Sequence, residues 1–551
     1  MEIINNAPLR NAPTGIALII DKDNGLLGLV TDGDIRRAIL KNADLSRPIE
    51  TIMNSHPICV KHDMTNEEKI KFIGKKLRIN KMQDIKINYI PVLDGFGKII
   101  DLVTFFDLWK RTDIKTRNVC ILGLGYVGLT LAVTFTDVGI DVYGVDINED
   151  LIKDLEMGTP HFHEVGLMPL LKRYIDKKLF VSTKINPNLV DIYIICVDTP
   201  VDENKKPHMG YIESVSKNVG RALKKDDLVV LRSTVPIGTS RDVVLPILEK
   251  ESGLRAGDDF YFVCAPERTI EGEALKELRE LPQIIGGVSK ESINVASNLF
   301  REIAPTIVDV GSLEAAEMIK LVNNTFRDVS FAYANELALI CDKLNLDTVE
   351  LIKAATKGYP RNKVPFPSPG VGGPCMTKDP YIFLDVFKKT GIKPKMVELA
   401  RTINEFLPIH VVRKISNYFE TINKPMQNSK IFVIGFAFKG YPETSDMRGS
   451  TTLTVINELK KFTSNIYGYD SVVDSKEIEK LGVKFSTVKE GFEKADCVII
   501  MNNHNSYRNF DIYSLLSTMN KPSLFFDSWH IFQPGDVRKI EGITYGGLGN
   551  D

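Results

Sequence analysis

The sequence predicts an α/β protein in which two doubly wound domains are joined by a helical middle segment with a long helix and preceded by a small α+β module. Apolar, β-branched runs alternate with helical runs from Asn118 onward, and the same alternation returns after Lys430. Between these regions, from about Leu313 to Tyr418, apolar residues recur with the helical period. Such alternation is typical of parallel sheets covered by helices, with ligands at the carboxyl ends of the strands.

The composition is that of an ordinary soluble globular protein. The 551 residues carry a formal net charge of -1, and 43% of them are hydrophobic. This balance offers no basic field for a phosphate backbone, so we expect no nucleic-acid partner.

The cysteines and the apolar runs bear on the compartment. Seven cysteines are scattered without a CxxC pair, which argues against a disulfide framework or a zinc site. The apolar run from Val119 to Phe135 holds three glycines and is better explained as strand, turn and helix than as a membrane span. The N-terminus lacks the basic and apolar regions of a signal peptide. We therefore expect a cytoplasmic protein with no membrane span and no metal.

Two polar stretches divide the chain, Arg111 to Arg117 and Thr421 to Ser429. Together with the change of period near Leu313, they predict four domains at residues 1–115, 116–312, 313–425 and 426–551.

The front module contains a short internal repeat. The segment LGLVTDGDI (Leu27 to Ile35) is echoed by IDLVTFFDL (Ile100 to Leu108). Each copy is an apolar strand that ends in Thr-x-x-Asp and enters a helix.

The two α/β regions supply the predicted strands. Each strand is an apolar run that closes on a polar or glycine-containing loop: NVCILGLGYVG, DVYGVDIN, DIYIICVDTP, DLVVLRSTVP and DFYFVCAPE in the first region, and KIFVIGFAFKG, NIYGYD, DCVIIMNNH and SLFFDSWH in the second. Between the regions, Glu314 to Leu344 has the pattern of one long helix.

A GxGxxG motif follows the first of these strands and opens a helix. Its glycines are Gly123, Gly125 and Gly128, and the next strand ends at Asp146. Glycines let the backbone approach a pyrophosphate at the helix N-terminus, and the carboxylate accepts the ribose hydroxyls. That carboxylate repels a 2′-phosphate, so the motif favours NAD over NADP. The alternative is a glycine-rich turn that binds no dinucleotide.

With this motif the chain from about Asn118 to Asn550 resembles the UDP-glucose/GDP-mannose dehydrogenase family. The resemblance implies two Rossmann-like domains and oxidation of a nucleotide sugar's primary alcohol to a carboxylate with two NAD⁺, in a pathway such as polysaccharide biosynthesis. It also implies a homodimer or higher homo-oligomer, with the long helix at the interface.

The stretch PSPGVGGPCMTKDP places Cys375 directly after a glycine pair. A cysteine taken at random is more often a small buried hydrophobe. In the resembling family, however, this position is the catalytic nucleophile. Oxidation of an aldehyde by hydride loss requires a tetrahedral adduct, and a thiolate supplies one as a thiohemiacetal that becomes a thioester.

The resemblance assigns the other catalytic groups. Lys320 and Asn324 lie four residues apart and share one helix face, where they match a proton shuttle and an oxyanion donor. Without the resemblance, that pair would be a solvated helix face. Glu267 in CAPERTIEG matches the residue that orients the hydrolytic water, and Asp379 matches an aspartate that assists proton transfer.

The resemblance also implies two sets of binding residues. The cofactor set adds to the glycines and Asp146 the residues Tyr126, Val127, Thr199, Pro200, Ser233, Thr234, Val235, Glu271, Lys378 and Arg448. The nucleotide-sugar set is Glu267, Lys320, Asn324, Arg361, Gly372, Phe438 and Lys439. The residues Pro374, Met376 and Thr377 vary from commoner family residues around the cysteine.

The APER segment and the run NTFRDVSFAYANELALICDKL look more like the UDP-N-acetylhexosamine dehydrogenases than like the UDP-glucose branch. This favours UDP-N-acetylglucosamine or UDP-N-acetylmannosamine. The alternatives are a UDP-glucose 6-dehydrogenase, a two-electron dehydrogenase of the hydroxy-acid type, and an adenylate-sensing protein whose dehydrogenase portion is inactive.

The repeat at the front resembles a tandem CBS module, which can bind adenosine nucleotides. On this resemblance the candidate adenylate contacts are Thr31, Asp34, Thr104 and Asp107. The first repeat has few residues before GIALIID, so its leading helix is expected to be short or missing. A structural or dimerising module is the alternative.

Overall fold

The computed structural model describes the chain at residues 16–41, 43–44, 47–64, 68–69, 72–73, 76, 89–103, 118–361 and 363–549. The chain forms two compact units, Met1–Arg117 and Asn118–Asp551.

The described part of the first unit contains two short sheets. One is an antiparallel hairpin of β1 and β2, and the other pairs β3 with β4 in parallel and β4 with β5 in antiparallel orientation. The elements are β1 (Ile16–Ile20), β2 (Leu26–Thr31), α1 (Asp32–Leu40), β3 (Val60–Lys61), β4 (Ile90–Leu93) and β5 (Ile99–Val103).

The sequence repeat is also a structural repeat. The turns of the two hairpins are built alike, because Asp21 Oδ1 and Asp94 Oδ1 each accept N–H groups from the residues two and four positions later at 2.8–2.9 Å. Gly25 and Lys98 pair with each other across an antiparallel bridge. Strand β2 enters helix α1 as the first copy predicts, while the Thr-x-x-Asp of the second copy lies outside the described residues.

The second unit begins with an eight-stranded sheet in the order β13-β12-β11-β10-β9-β6-β7-β8. All residues of β6, β9 and β10 are buried, which explains their continuous apolar sequence. The strands are β6 (Val119–Leu122), β7 (Val142–Val145), β8 (Leu179–Ser182), β9 (Ile192–Ile195), β10 (Leu228–Leu231), β11 (Tyr261–Cys264), β12 (Gln283–Gly287) and β13 (Ile307–Gly311).

One strand departs from the expected parallel order. Strand β12 runs antiparallel to β11, because the chain from Ala265 to Pro282 returns to the sheet at the carboxyl end of β11. At Gly286 a Cβ would lie 1.9 Å from the Ser312 carbonyl oxygen, so glycine permits this close approach. The sequence analysis had not identified β8, β12 or β13.

Helices flank this sheet and form the middle segment. The flanking helices are α2 (Tyr126–Asp137), α3 (Glu149–Glu156), α4 (Leu167–Tyr174), α5 (Gly210–Ala222), α6 (Leu245–Ser252), α7 (Ala274–Glu280) and α8 (Lys290–Phe300). The middle helices are α9 (Leu313–Leu344), α10 (Thr348–Thr356), α11 (Asp379–Leu384), α12 (Phe387–Thr390) and α13 (Lys395–Thr421).

The predicted long helix is α9. Its N-terminus is capped by the Ser312 hydroxyl, which accepts the Ala315 N–H at 3.2 Å, and it ends at Asn345 in the left-handed conformation. It packs against α13, where buried Arg401 Nη1 contacts Asp328 Oδ1 at 2.7 Å. No helix among the described residues is long and apolar enough to cross a membrane.

The second α/β region is a six-stranded, fully parallel sheet in the order β16-β15-β14-β17-β18-β19. Its strands are β14 (Ile431–Ile434), β15 (Ile466–Tyr469), β16 (Lys484–Phe485), β17 (Cys497–Ile500), β18 (Ser523–Asp527) and β19 (Ile543–Gly547). Its helices are α14 (Thr451–Leu459), α15 (Ser475–Lys480), α16 (Val488–Phe492), α17 (Ile512–Ser517) and α18 (Pro534–Val537).

Candidate active site

A cavity of about 810 Å³ lies where the first sheet, the middle helices and the second sheet meet. Its walls are the carboxyl ends of first-sheet strands, the face of α9, the loop before α11 and the loops after β14. Most of the predicted site residues line it: Gly123, Gly125, Tyr126, Val127, Asp146, Thr199, Ser233, Thr234, Glu267, Glu271, Lys320, Asn324, Gly372, Cys375, Lys378, Phe438, Lys439 and Arg448.

The glycine-rich turn has the shape of a cradle for a diphosphate. Gly123 has φ +93, and a Cβ at Gly128 would lie 1.8 Å from the Gly123 carbonyl oxygen. Gly125 is the N-cap of α2 and supplies no capping side chain, while space for a Cβ is open there. The first N–H groups of α2 are therefore left for a ligand, and a helix N-terminus favours an anion.

Two further side chains, those of Asp146 and Thr199, are suited to hydrogen-bond a dinucleotide. Asp146 directly follows β7, and its carboxylate accepts the Leu124 N–H at 2.9 Å, so it is fixed beside the glycine turn. The Thr199 hydroxyl is buried and has no hydrogen-bond partner among the residues that the structure describes, although Thr199 lines the cavity. A buried hydroxyl without a partner is costly, and a ligand hydrogen bond would satisfy it.

Cys375 lies on the loop that leads into α11 and is exposed to the cavity. Protein atoms still surround the thiol, and their burial effect, with the Asp379 carboxylate, raises the pKa of Cys375. The ammonium groups of Lys320 and Lys378 oppose that rise. The thiol is therefore neutral at rest and has cations beside it that stabilise a thiolate.

Beneath the thiol, polar side chains form a chain of contacts. Asn324 Nδ2 donates to Asp379 Oδ2 at 2.6 Å, and Asp379 is fully buried. Lys378 Nζ lies 3.4 Å from Asp379 Oδ1 and 3.3 Å from Asp198 Oδ1. Burial disfavours the charge of this lysine, but the two carboxylates outweigh burial and raise the pKa of Lys378.

Lys320 and Asn324 belong to a buried polar stripe on α9. Each is 8% exposed, and Glu317 and Asp328 continue the stripe above and below them. A helix inside a protein normally buries an apolar stripe, so these polar groups indicate a chemical role for this face.

Glu267 lies on the loop after β11 and is held by four donors. Its Oε2 accepts from Arg232, and its Oε1 accepts the N–H groups of Arg268 and Thr269 at 2.6 and 2.9 Å. Burial favours protonation, but Arg232 and the two backbone N–H groups outweigh it and lower the pKa of Glu267.

Glu271, Lys439 and Arg448 meet where the two α/β regions face each other. Burial, with Asp446 nearby, raises the pKa of Glu271 to about 7, and burial lowers the pKa of Lys439 to about 8. Lys439 Nζ donates to the Glu271 carbonyl oxygen, and Arg448 pairs with Asp446 at 2.6 Å.

Some predicted residues do not line the cavity. Gly128 and Val235 pack inside the fold, and the Pro200 carbonyl accepts the His208 N–H at 2.8 Å. Asp379 is buried outside the lining and accepts the hydrogen bond from Asn324, which does line the cavity. The Arg361 guanidinium lies over the Tyr359 ring, 5.3 Å from its centre, and the residue is exposed outside the cavity.

In the first unit, Thr31 and Asp34 form a capping box for α1. The Thr31 hydroxyl accepts the Asp34 N–H at 3.3 Å, and Asp34 Oδ2 accepts the Thr31 N–H at 2.8 Å. Helix capping therefore accounts for the Thr-x-x-Asp pattern of this copy. The other two adenylate candidates, Thr104 and Asp107, lie outside the described residues.

The sequence prediction missed several polar cavity residues, among them Cys196, Asp198, Arg232, Arg268 and Arg327. Arg232 could have been identified from the sequence, because a charged residue directly after a buried strand is unusual. Arg268 and Arg327 add positive charge beside Glu267 and Asn324. Among the described residues, no cluster of His, Cys, Asp and Glu side chains has the geometry of a metal site.

Comparison with known proteins gives a consistent result. Profiles of the UDP-glucose/GDP-mannose dehydrogenase family match residues 117–304 (NAD binding domain), 314–406 (central domain) and 432–534 (UDP binding domain). The UDP-N-acetyl-D-mannosamine dehydrogenase of Pyrococcus horikoshii is 32% identical over 434 residues, which cover 78% of this chain and 99% of that protein.

Two further comparisons agree. The enzyme of the same name from Campylobacter jejuni is 33% identical over 402 residues, covering 71% of this chain and 96% of that protein. The solved structure of the Pyrococcus horikoshii enzyme superposes with a TM-score of 0.71 at 31% identity, covering 78% of this chain and 99% of that one. The first 116 residues lie outside the three ranges that the profiles match.

Proposed function

Because the chain belongs to the UDP-glucose/GDP-mannose dehydrogenase family and is therefore an NAD-dependent UDP-sugar dehydrogenase, we propose that it oxidises a UDP-N-acetylhexosamine at C6 to the uronic acid through Cys375. One observation carries the proposal: the thiol shares a single cavity with Lys320, Asn324 and the glycine cradle.

The cradle of Gly123, Gly125 and the α2 N-terminus binds the cofactor diphosphate. The Asp146 carboxylate accepts hydrogen bonds from the ribose hydroxyls. NAD, when bound, accepts a hydride from the sugar carbon in each oxidation. Thr199 offers its unpartnered hydroxyl to the same ligand.

In the first oxidation Lys320, on the buried stripe of α9, acts as the free amine: it takes the proton of the C6 hydroxyl and becomes the ammonium that later faces Sγ. Asn324 donates to the developing oxyanion, because its amide orientation is fixed by the bond to Asp379.

In the second oxidation Cys375 adds its Sγ to the aldehyde carbon, and the thiol proton ends on the new hydroxyl oxygen. Loss of hydride and of that hydroxyl proton gives a thioester. Water then adds to the thioester carbon, the C–S bond breaks, and the electron pair leaves on Sγ. Lys320 and Lys378, which favour the thiolate, stabilise this leaving group.

For the sugar we propose UDP-N-acetylmannosamine first and UDP-N-acetylglucosamine second. The APER segment supports an acetylated sugar, and the names of the Pyrococcus and Campylobacter relatives support the manno configuration. UDP-glucose is the competing substrate.

A substrate panel tests this choice. We expect kcat/KM to be highest for UDP-N-acetylmannosamine when NADH formation is followed with that sugar, UDP-N-acetylglucosamine and UDP-glucose. Faster turnover of UDP-glucose than of both acetylated sugars would overturn the sugar assignment and leave the family assignment intact.

We also propose a homodimer through α9. Val322, Phe326, Tyr333, Ile340 and Leu344 are 45–72% exposed and recur at helical spacing along one stripe. Such a stripe is stabilised when a second copy covers it. The stripe begins beside the cavity, because Val322 and Phe326 line an adjoining pocket together with Lys320 and Asn324. Sedimentation of Tyr333→Glu against wild type tests this, with a monomer expected for the variant.

The cytoplasm is the compartment we propose, because all seven cysteines are free. Adenylate binding by the first unit stays a prediction, which calorimetry with AMP and ATP on the whole chain would test.

A further inference from the structure

Arg232 is a fully buried arginine at the wall of the cavity. It directly follows β10, and its side chain is 0% exposed. Nη1 donates to the Ala265 carbonyl oxygen at 3.0 Å, Nη2 donates to Gln283 Oε1 at 3.1 Å, and the guanidinium lies 5.0 Å from the centre of the Phe300 ring. These contacts restrict the guanidinium to one orientation.

In that orientation the guanidinium is directed at Glu267. Both Nε, at 3.1 Å, and Nη2 donate to Glu267 Oε2, while the opposite oxygen takes two backbone N–H groups. These four donors hold both carboxylate oxygens, so the side chain is fixed in one orientation. A small remainder of the side chain, 8%, is exposed.

The positive charges around Glu267 also favour its ionised form. The titratable groups nearby are Arg232, Arg268 beside it on the loop, Cys196 after β9 and Glu277 of α7. The two arginines stabilise the ionised carboxylate, and Glu277 lies further along the chain as a weaker opposing charge. Burial alone would favour the protonated acid, so the ionised state depends on the arginine.

The stability of the fold does not by itself explain the buried Arg232–Glu267 ion pair. A buried ion pair is weak evidence for stability, because well-packed apolar side chains of similar volume stabilise a core equally well. The Arg232–Glu267 pair lies at the wall of the reaction cavity, where a fixed ionised carboxylate has a use.

We propose that Arg232 is a positioning residue for the hydrolytic half-reaction: it keeps Glu267 ionised and in one orientation, so that Glu267 orients the attacking water and does not remove its proton. This inference rests on the proposed thioester at Cys375. The water oxygen bonds to the thioester carbon, the C–S bond breaks, one water proton ends on Sγ, and the proton of the new acid leaves to solvent.

The test compares Arg232→Met and Arg232→Lys with a matched control, Arg279→Met. Arg279 forms an ion pair with Asp137 at 2.7 Å on the outside of the fold, away from the cavity lining. Each protein is followed by the pH profile of acid formation, by the pre-steady-state NADH burst, and by the intact mass of enzyme quenched in acid.

For Arg232→Met we expect hydrolysis to slow by about 10–100-fold, as for a reacting group displaced by about 1 Å. Acyl-enzyme then accumulates, the burst approaches two NADH per active site, and the acid limb of the pH profile moves up by about one unit or more. Arg232→Lys should return the acid limb of the pH profile to its wild-type position. Arg279→Met should match wild type in all three measurements. An unchanged pH profile without acyl-enzyme would overturn the inference, as would an equal loss of all steps at every pH.

If Arg232→Met does not fold, Gln283→Leu decides the matter. Gln283→Leu removes one partner of the guanidinium and should shift the acid limb in the same direction by a smaller amount. A wild-type profile in Gln283→Leu would overturn the inference. Should wild type itself form no NADH from any nucleotide sugar, the proposed function fails; an active wild type with unaffected variants removes only the role of Arg232.

Discussion

Gly373 lies two residues before Cys375, the proposed nucleophile, so a substitution there perturbs the site directly. It has φ +93, and a Cβ there would lie 2.6 Å from Cδ2 of the Phe438 ring. Alanine in this backbone region costs about 1–2 kcal/mol. Because ordinary carbon contacts are about 3.5–4.0 Å, the side chain also forces a shift of about 1 Å between the thiol loop and the Phe438 loop. A misplacement of that size lowers turnover by about 100-fold.

Gly139→Ala is the matched control. Gly139 has φ +97, but a Cβ there meets nothing within 4 Å, so this variant carries the backbone strain without the clash. We expect both variants to lose stability in urea titrations and only Gly373→Ala to lose kcat for NADH formation. Equal kcat in the two variants would refute the view that close packing of the thiol loop against Phe438 positions Cys375.

Two further predictions concern the cofactor and acid stability. Asp146→Asn should narrow the preference for NAD over NADP, measured as the ratio of kcat/KM values, by about 10–100-fold. The reason is that a charged acceptor for the ribose hydroxyls is worth about 1.5–3 kcal/mol. Equal use of both cofactors by wild type would refute this explanation. Asp342 is contacted by His410 at 2.9 Å and Lys414 at 2.6 Å, and although burial opposes it, these partners lower the pKa of Asp342. Its contribution to stability is therefore present above the unfolded value of about 3.9 and is lost as pH falls below it. Asp342→Asn should destabilise the fold at pH 7 by about 1–3 kcal/mol, and the difference from wild type should shrink below about pH 4 in thermal or urea unfolding.

The sequence predicted the features that depend on local pattern. The glycine turn followed by a strand ending at Asp146, and the helix from Leu313 to Leu344, are set by short-range preferences and periodicity. The resemblance then supplied Cys375, Lys320 and Asn324, which the structure brings to one cavity.

The features that were missed depend on contacts between distant segments. The antiparallel pairing of β12 with β11 is decided by how the intervening loop packs, and no sequence period records it. The buried contact of Arg232 with Glu267 joins residues 35 positions apart. For Thr31 and Asp34 the motif was ambiguous, because the same spacing serves a helix cap.

The central claim is a four-electron oxidation through a covalent bond to Cys375, and the most direct measurement is the number of NADH molecules formed per molecule of sugar acid, in wild type and in Cys375→Ser. The second oxidation requires the thiol adduct, so we expect two NADH per acid from wild type and no net acid from the variant, because serine is a weaker nucleophile at neutral pH. One NADH per substrate with no acid from wild type, or acid formation at the wild-type rate by Cys375→Ser, would contradict the account.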